Sequence, residues 1–308
     1  MSYHLSAAEQ LFKESGPIYH LYTKPLKTDI LFHSLEEKSL SLNYIAIAAK
    51  KIGVIILAHS VMSNHLHFIL KGTESQVLEF FALLKSMLAI YYRTHGRAKL
   101  MDSVEPGLTL IDSLRQLRQE IAYVIRNAFV VSKDVNVFND PWSTGYLYYN
   151  PMLVKDGVPA SSLTVRGIRA FTKSRAITEV DASIYVKDGV ACPWSFVDYE
   201  LTMRYYDDVR QYIFSVVKNV EGQVEVSLRY GEIPTICDDE LYPVYYRIVT
   251  ERYGNSKPST LDLQQRKTLA LILKKDYYSS NAQISRMTGL PPSEVDTMFP
   301  LSAKDSKT

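Results

Sequence analysis

The sequence contains little cysteine and little net charge, and both shortages exclude classes of protein. The two cysteines, Cys192 and Cys237, are far apart and form no C-x-x-C pattern, so neither a zinc ribbon nor a thioredoxin-type motif is indicated. We therefore expect a reduced, cytoplasmic protein. A formal net charge of +2 lacks the cationic excess typical of nucleic-acid-binding proteins, so local clusters must carry any such function.

Long apolar runs are also missing. The longest stretch without a charged residue, 53–70, contains three histidines, one asparagine and two serines, a composition that argues against a membrane span. Residues 1–5 have no basic segment followed by an apolar run, so we expect no secretory signal and no membrane partner. A chain of 308 residues with 46% hydrophobic side chains instead predicts a globular protein of at least two units.

Hydrophobic patterns in the first half of the chain predict an α+β domain. Strands are expected over 18–22, 54–62 and 65–70. Helices are expected over 40–51, 77–94 and 112–130. Ser63 and Asn64 supply a turn between the second and third strands, and Gly53 closes the first helix. The order strand, helix, strand, strand, helix, helix is typical of α+β folds.

The remainder of the chain is predicted to be mainly helical. A pattern break at 140–145, followed by a tyrosine-rich stretch, indicates a boundary near residue 150. We divide the chain into a first domain, a middle region of unknown role and a C-terminal domain, with the bounds 1–150, 151–260 and 261–308. Helices in the middle region are expected around 165–173 and 199–217.

His65 and His67 are the first candidates for chemistry. Residues i and i+2 of a strand project from the same face, so both imidazoles can reach one metal ion. Two partly buried histidines that only make hydrogen bonds produce the same pattern. The spacing by itself leaves both interpretations open.

The predicted helix over 112–130 carries a second candidate group on its polar side. With its residues placed at steps of about 100° around the axis, Tyr123 falls away from the apolar stripe. Glu120 and Asn127 lie on the same side. Tyr123 and Asn127, at i and i+4, are close enough to meet one ligand. The alternative is an exposed tyrosine on an ordinary amphipathic helix.

Three motifs, in this order, resemble those of a known family. Residues 61–70, VMSNHLHFIL, resemble the HUH signature, histidine-hydrophobic-histidine. Residues 123–128, YVIRNA, are similar to the family's Tyr-Ile-x-x-Asn-Pro segment, and residues 141–145, PWSTG, to its Trp-Ser-Ser element. Over approximately residues 16–150 the chain therefore resembles single-tyrosine HUH transposases and REP-associated tyrosine transposases.

The resemblance implies a ferredoxin-like HUH domain that cuts and rejoins single-stranded DNA next to hairpin elements. It implies that Mg²⁺ or Mn²⁺, held by His65, His67 and Asn127, acts as a Lewis acid on the phosphate. Tyr123 would attack phosphorus and form a 5′-phosphotyrosine intermediate. Glu120 is a candidate base for Tyr123, although a solvated surface carboxylate would fit the same position. The family's known members leave both a homodimer and a monomer open.

Two residues depart from the family's motifs. Ala128 stands where the family has proline, and Thr144 where it has a second serine. Neither position should carry the chemistry, and His65, His67 and Tyr123 are all present. We therefore expect an active enzyme, a DNA transposase or endonuclease used in transposition or in processing repeated palindromes. The alternative is a non-catalytic DNA-binding regulatory protein that retains the HUH fold.

A basic cluster is the candidate DNA-contacting surface. Its cations would neutralise phosphates, and tyrosines beside them would stack on bases. The candidate cations are Arg93, Arg97 and Lys99, with His95, Tyr91 and Tyr92 beside them, and separately Arg126. A solvated helix end is the competing interpretation of the cluster.

The C-terminal residues 282–295 resemble a helix-turn-helix, preceded by a supporting helix over 267–278. Apolar residues and Gly289 fall where two packed helices and a tight turn require them. Glu294 and Asp296 lie in the second helix, where carboxylates would repel phosphates. A protein-interaction or dimerisation module is the alternative.

Overall fold

The computed structural model describes residues 5–24, 30–126, 137–217, 236, 238–254 and 260–300. It confirms an α+β protein, with a four-stranded antiparallel sheet and, among the described residues, eleven α-helices. The chain divides into two compact units, 1–216 and 217–308. The division that we predicted at 150 and 260 remains a prediction. No helix in the described ranges is long and apolar enough to cross a membrane.

The sheet of the first unit is built from four strands in the order β2-β3-β1-β4. The strands are β1 (Ile18–Thr23), β2 (Ile55–Val61), β3 (Leu66–Lys71) and β4 (Pro106–Leu110). The first three confirm the predicted strands. β4 was not predicted, because Pro106 and Gly107 look like turn residues. A Cβ at Gly107 would collide with the ring of Tyr22, so glycine lets the Tyr22 side chain lie across the neighbouring strand.

Four helices accompany this sheet. They are α1 (Ala7–Glu14), α2 (Leu35–Ile52), α3 (Glu74–Thr94) and α4 (Leu114–Arg126). α2 begins at the N-cap Ser34 and ends at Gly53, whose φ of 79° is left-handed, as a glycine terminator requires. α3 begins with a capping box between Thr73 and Gln76.

The helices form layers on both faces of the sheet. Phe68 of β3 packs against Phe80 of α3, with ring centroids 5.3 Å apart, which puts α3 on the face of Phe68. His67 precedes Phe68 in the strand and points to the opposite face. α4 packs against β2 and β3, and its Tyr123 ring lies against the His67 ring. The face of His67 and α4 is called the site face below.

Residues 137–216 belong to the same unit as the sheet. They contain β5 (Val158–Pro159), α5 (Val165–Thr172), β6 (Tyr185–Lys187), β7 (Val190–Ala191), α6 (Tyr199–Arg204) and α7 (Val209–Val217). Asn43 of α2 joins this segment to the rest, because its amide donates to the Phe171 carbonyl at 2.8 Å and accepts from Ala191 N at 2.7 Å. The single helix predicted over 199–217 is two helices.

Residues 142–144 lie along the outer edge of β2. Val61 N donates to the Trp142 carbonyl at 2.9 Å, and Thr144 N donates to the His59 carbonyl at 3.2 Å. Farther along the same edge, Asp198 N donates to the Ile56 carbonyl at 2.9 Å. The edge of β2 is thus hydrogen-bonded to segments that come much later in the chain.

The second unit is helical over its described residues. It contains α8 (Asp238–Tyr253), α9 (Leu263–Asp276), α10 (Asn281–Thr288) and α11 (Pro292–Met298). α10 ends at Gly289, whose φ is 68°. The carboxylates of the last helix have partners inside the unit: Glu294 pairs with Lys267 at 2.7 Å, and Asp296 accepts from Asn281 at 2.9 Å.

Candidate active site on the sheet face

A row of polar side chains crosses the site face at the level of His67. In the strand register, His67 lies opposite Tyr22 of β1 and opposite Ser60 of β2. Ser60 in turn lies opposite Ser143 at the sheet edge. Directly opposed residues of antiparallel strands share a face, with Cβ atoms about 5 Å apart. Ser143, Ser60, His67 and Tyr22 therefore form one continuous row.

His65 joins this row because it lies two residues before His67. Met62 N donates to the His65 carbonyl at 3.0 Å, which closes the turn and sets the start of β3. The two imidazole ring centroids are 4.8 Å apart. Both rings are buried, so the predicted histidine pair is brought together on one face.

α4 brings Tyr123 to the same place. The centroid of its ring lies 5.4 Å from that of His67 and 6.0 Å from that of His20. The predicted apolar stripe of the helix is buried as expected, but the polar side is buried too, and the Tyr123 side chain is only 2% exposed. The sheet covers the polar side of the helix, so the alternative interpretation of Tyr123 as an exposed surface tyrosine is wrong.

A hydrogen-bonded chain of three buried side chains determines how His67 is presented. Glu120 Oε2 lies 3.0 Å from His20 Nδ1, and His20 Nε2 lies 3.0 Å from His67 Nδ1. Because a carboxylate only accepts, His20 Nδ1 carries the hydrogen, and with His20 neutral its Nε2 accepts from His67 Nδ1. A neutral His67 ring therefore has its acceptor lone pair on Nε2.

His65 is oriented by its neighbour in the turn. Asn64 Oδ1 lies 2.8 Å from His65 Nδ1, and because an amide oxygen accepts, Nδ1 carries the hydrogen. Nε2 is thus the acceptor nitrogen of this ring as well. Histidines that bind metal ions are commonly oriented in this way, by a hydrogen bond from the other ring nitrogen.

The donor set fits a divalent cation with an incomplete ligand shell. Among the described residues, no group of three or more His, Cys, Asp and Glu side chains is placed to hold a metal ion. His65 and His67 therefore need further ligands of another kind. Asn127, the third predicted ligand, lies outside the described residues. A closed zinc site would usually have four protein ligands. Two imidazoles completed by oxygen ligands, with positions left open, suit Mg²⁺ or Mn²⁺ in a phosphoryl-transfer site.

The predicted DNA-contacting cations do not form one cluster with these residues. Arg97 is paired with Glu37 at 3.0 Å and lies over the ring of Tyr92. Tyr91 and Tyr92 are buried rather than available for stacking. Arg93 and Lys99 are exposed, at the end of a helix that covers the opposite face of the sheet.

Arg126 has a structural contact in the first unit. It is buried, and its Nη1 donates to the Val216 carbonyl at 2.7 Å. This hydrogen bond joins the end of α4 to the end of α7. A contact between Arg126 and DNA remains a prediction.

Sequence patterns missed three residues of the site: His20, Ser60 and Ser143. His20 and Ser60 are polar residues inside apolar strands, which is a signal in itself, because a buried polar group costs free energy unless it has a partner. Ser143 was noted only as part of a motif. Which residues lie next to each other across the sheet depends on the order of the strands. The spacing of residues along the sequence does not predict that order.

His59 lies on the other face of the sheet. Its ring stacks on Phe196 with centroids 5.8 Å apart. Burial away from solvent lowers the pKa of His59 to about 3, because the charged imidazolium is poorly solvated there. This histidine is neutral at physiological pH and does not belong to the candidate site.

The chain was also compared with known proteins. No protein-family model, curated protein or solved structure matched it. The arguments for a function therefore come from the motifs and from the geometry of the described residues.

Proposed function

We propose that this protein is a metal-dependent transesterase that cleaves and rejoins single-stranded DNA near hairpins through Tyr123. One observation carries the proposal. His65 and His67 of a β-hairpin meet Tyr123 of a separate helix on a single sheet face, with the His67 and Tyr123 ring centroids 5.4 Å apart. A nucleophile placed beside two imidazoles of the right tautomer is the arrangement that phosphoryl transfer to tyrosine requires.

The chain topology is consistent with this proposal. The elements of the sheet follow the order β1-α2-β2-β3-α3-β4, and the strands lie in the order β2-β3-β1-β4. This is the βαββαβ arrangement of ferredoxin-like folds. The helix that carries the nucleophile packs on the face opposite to α3. These features support the assignment of an HUH domain to the first unit.

The chain's own residues would prepare the site for the reaction. His65 and His67 would hold Mg²⁺ or Mn²⁺ through Nε2, and Asn127 is the proposed third ligand. When bound, such an ion supplies Lewis-acid polarisation of a phosphate oxygen. Glu120 and His20 keep the hydrogen of His67 on Nδ1. Glu120 therefore acts through His20, and its action as a base on Tyr123 remains a prediction.

In the proposed step, the phenolic oxygen of Tyr123 forms a bond to phosphorus. The bond between phosphorus and the 3′ oxygen of the neighbouring nucleotide breaks, and that oxygen leaves as a 3′-hydroxyl with the proton lost by tyrosine. The product is a 5′-phosphotyrosine. Attack by a 3′-hydroxyl reverses the step, rejoins DNA and restores the tyrosine, so no ATP is consumed.

One observation favours a second function. Tyr123 is 2% exposed, so its hydroxyl is not open to DNA in this conformation. A buried tyrosine of this kind is compatible with a non-catalytic DNA-binding regulatory protein that retains the HUH fold. The experiment below separates the two functions.

The purified full chain is incubated with labelled single-stranded oligonucleotides that cover both strands of the DNA flanking its gene, with Mn²⁺ or EDTA. We expect a covalent protein–DNA band on denaturing electrophoresis, present with Mn²⁺ and lost in Tyr123→Phe. Tyr185→Phe, which removes a hydroxyl from β6, is the matched control and should keep the band. A band that persists in Tyr123→Phe contradicts the proposal, and hairpin binding without cleavage favours the regulatory protein.

For the second unit, we propose that α9, α10 and α11 form a helix-turn-helix. The left-handed Gly289 between α10 and α11 supports it. Since Glu294 and Asp296 are bound to Lys267 and Asn281, their charges are partly neutralised inside the unit. Loss of hairpin affinity on deletion of the whole second unit, 217–308, with cleavage retained, would support a DNA-binding role over an interaction module.

A further inference from the structure

We propose that Ser60 and Ser143 form a subsite that binds a non-bridging oxygen of the DNA phosphate beside His67. The inference rests on the proposed function and extends it, because it assigns the contact that positions the phosphate next to the metal ligands. Two observations carry it: the register of the polar row, and the lack of partners for the two hydroxyls among the described residues.

The register places both hydroxyls on the site face. Ser60 lies directly opposite His67, and Ser143 lies directly opposite Ser60. Neighbouring members of such a row have Cβ atoms about 5 Å apart. A phosphate group that contacts His67 through a bound cation therefore has the Ser60 hydroxyl as a near neighbour, and the Ser143 hydroxyl one strand farther out.

Neither hydroxyl has a hydrogen-bond partner within the described part of the chain. Both side chains are fully buried, with exposed fractions of 1% for Ser60 and 0% for Ser143. A buried hydroxyl without a partner costs about 1–3 kcal/mol, and two of them side by side on one face double that cost. A buried polar group of this kind calls for a partner such as a water, an ion or a ligand.

The neighbouring Thr144 shows what a structural hydroxyl looks like in the same segment. Its Oγ1 accepts from His59 N at 3.2 Å and from the Tyr148 hydroxyl at 2.8 Å. These bonds attach residues 142–144 to β2. Ser143, one residue earlier, points to the other face and makes no such bond among the described residues, so the segment is held without its hydroxyl.

A phosphodiester oxygen is the ligand that these two groups suit. Serine hydroxyls donate well to anionic oxygens, and hydrogen bonds to charged groups contribute about 1.5–3 kcal/mol. The two hydroxyls carry no charge of their own, so they stabilise the phosphate without competing for the cation. The site face thus provides a cation side, at His65 and His67, and a hydroxyl side, at Ser60 and Ser143.

The first test is stability, because it separates a ligand-binding hydroxyl from a structural one. Ser60→Ala and Ser143→Ala remove hydroxyls that have no partner in the described ranges, so each variant should keep or raise the midpoint of urea unfolding. Thr144→Val, the matched control, removes bonded oxygen and should lower the midpoint. A loss of stability in the serine variants as large as in Thr144→Val overturns the proposal.

The second test measures the binding and the cleavage of DNA. Binding of the gene-flanking oligonucleotides is followed by fluorescence anisotropy with Mn²⁺ in a Tyr123→Phe background, and cleavage is followed in the parent background. We expect each serine-to-alanine change to reduce affinity and cleavage rate by roughly tenfold, the loss of one hydrogen bond to a charged group.

The outcomes separate this inference from the proposed function. If the parent forms the covalent band and the Ser60→Ala/Ser143→Ala variant binds and cleaves equally well, the subsite is refuted while the transesterase stands. If no band forms but the parent binds DNA and the double variant binds it more weakly, the subsite stands without the catalysis. Binding of no strand by the parent refutes both.

Discussion

Removing the charge of Glu120 should weaken metal binding at the proposed site of His65 and His67, because this carboxylate orients His67 through His20. Glu120→Gln keeps the shape of the side chain and an oxygen that accepts from His20 Nδ1, 3.0 Å away in the parent. It removes the negative charge that favours a hydrogen on that nitrogen. His20 then holds the tautomer of His67 less firmly, and the population of rings with a lone pair on Nε2 falls.

The expected magnitude follows from the burial of the chain of hydrogen bonds. Glu120, His20 and His67 are all inaccessible to solvent, so water does not replace the lost interaction. Changes to groups that orient a metal-binding histidine lower the affinity for the metal ion by about 10–100-fold, or about 1.4–2.7 kcal/mol. The fold should lose only about 1 kcal/mol, because the amide oxygen introduced at position 120 can still accept from His20.

The assay is a titration with Mn²⁺ followed by electron paramagnetic resonance, which needs neither DNA nor catalysis. Glu37→Gln is the matched control, because Glu37 is also a carboxylate held by another side chain, Arg97 at 3.0 Å, but on the helix layer of the other face. Its Mn²⁺ affinity should equal that of the parent. Unchanged affinity in Glu120→Gln, or an equal loss in Glu37→Gln, would refute the reasoning.

Two further predictions concern stability. The pKa of His59 is lowered to about 3 in the folded chain and is about 6.5 in an unfolded one. Between these two pH values the unfolded state binds more protons than the folded state. The folded state therefore loses stability as the pH falls below about 6.5. Urea unfolding at pH 6.5 and pH 5 should show about 2 kcal/mol of pH-dependent loss in the parent that His59→Phe does not show, and equal losses would contradict it. Gly107→Ala should cost about 1–3 kcal/mol, because the new methyl group meets the Tyr22 ring. If the same change costs as much in a Tyr22→Ala background, the explanation is wrong.

Local patterns were sufficient to predict the elements that carry the candidate site. The hairpin that carries His65 and His67, the helix that ends at Gly53 and the helix that carries Tyr123 all depend on residues close together in sequence. Periodicity and terminators report such elements directly. Convergence of the histidines with Tyr123 was expected only through the motif resemblance, and the structure places the three side chains together.

The remaining features depend on residues that meet only after the sheet forms. His20 reaches His67 because β1 lies beside β3, and Ser143 reaches Ser60 because a later segment pairs with the edge of β2. Burial of Tyr123 likewise arises from packing on the sheet, which a helical wheel does not represent.

The hydrogen bonds along the edge of β2 determine where this chain can be truncated. The carbonyl of Ile56 accepts from Asp198 N at 2.9 Å, and the carbonyl of Leu57 accepts from the hydroxyl of Thr202 at 2.9 Å. A fragment that ends at residue 150 would keep the bonds of residues 142–144 to β2 but lose those of Asp198 and Thr202, which leaves the Ile56 end of this strand edge available for pairing with other chains. For expression or crystallisation of the first unit alone, the fragment that keeps these bonds and follows the compact unit is therefore 1–216.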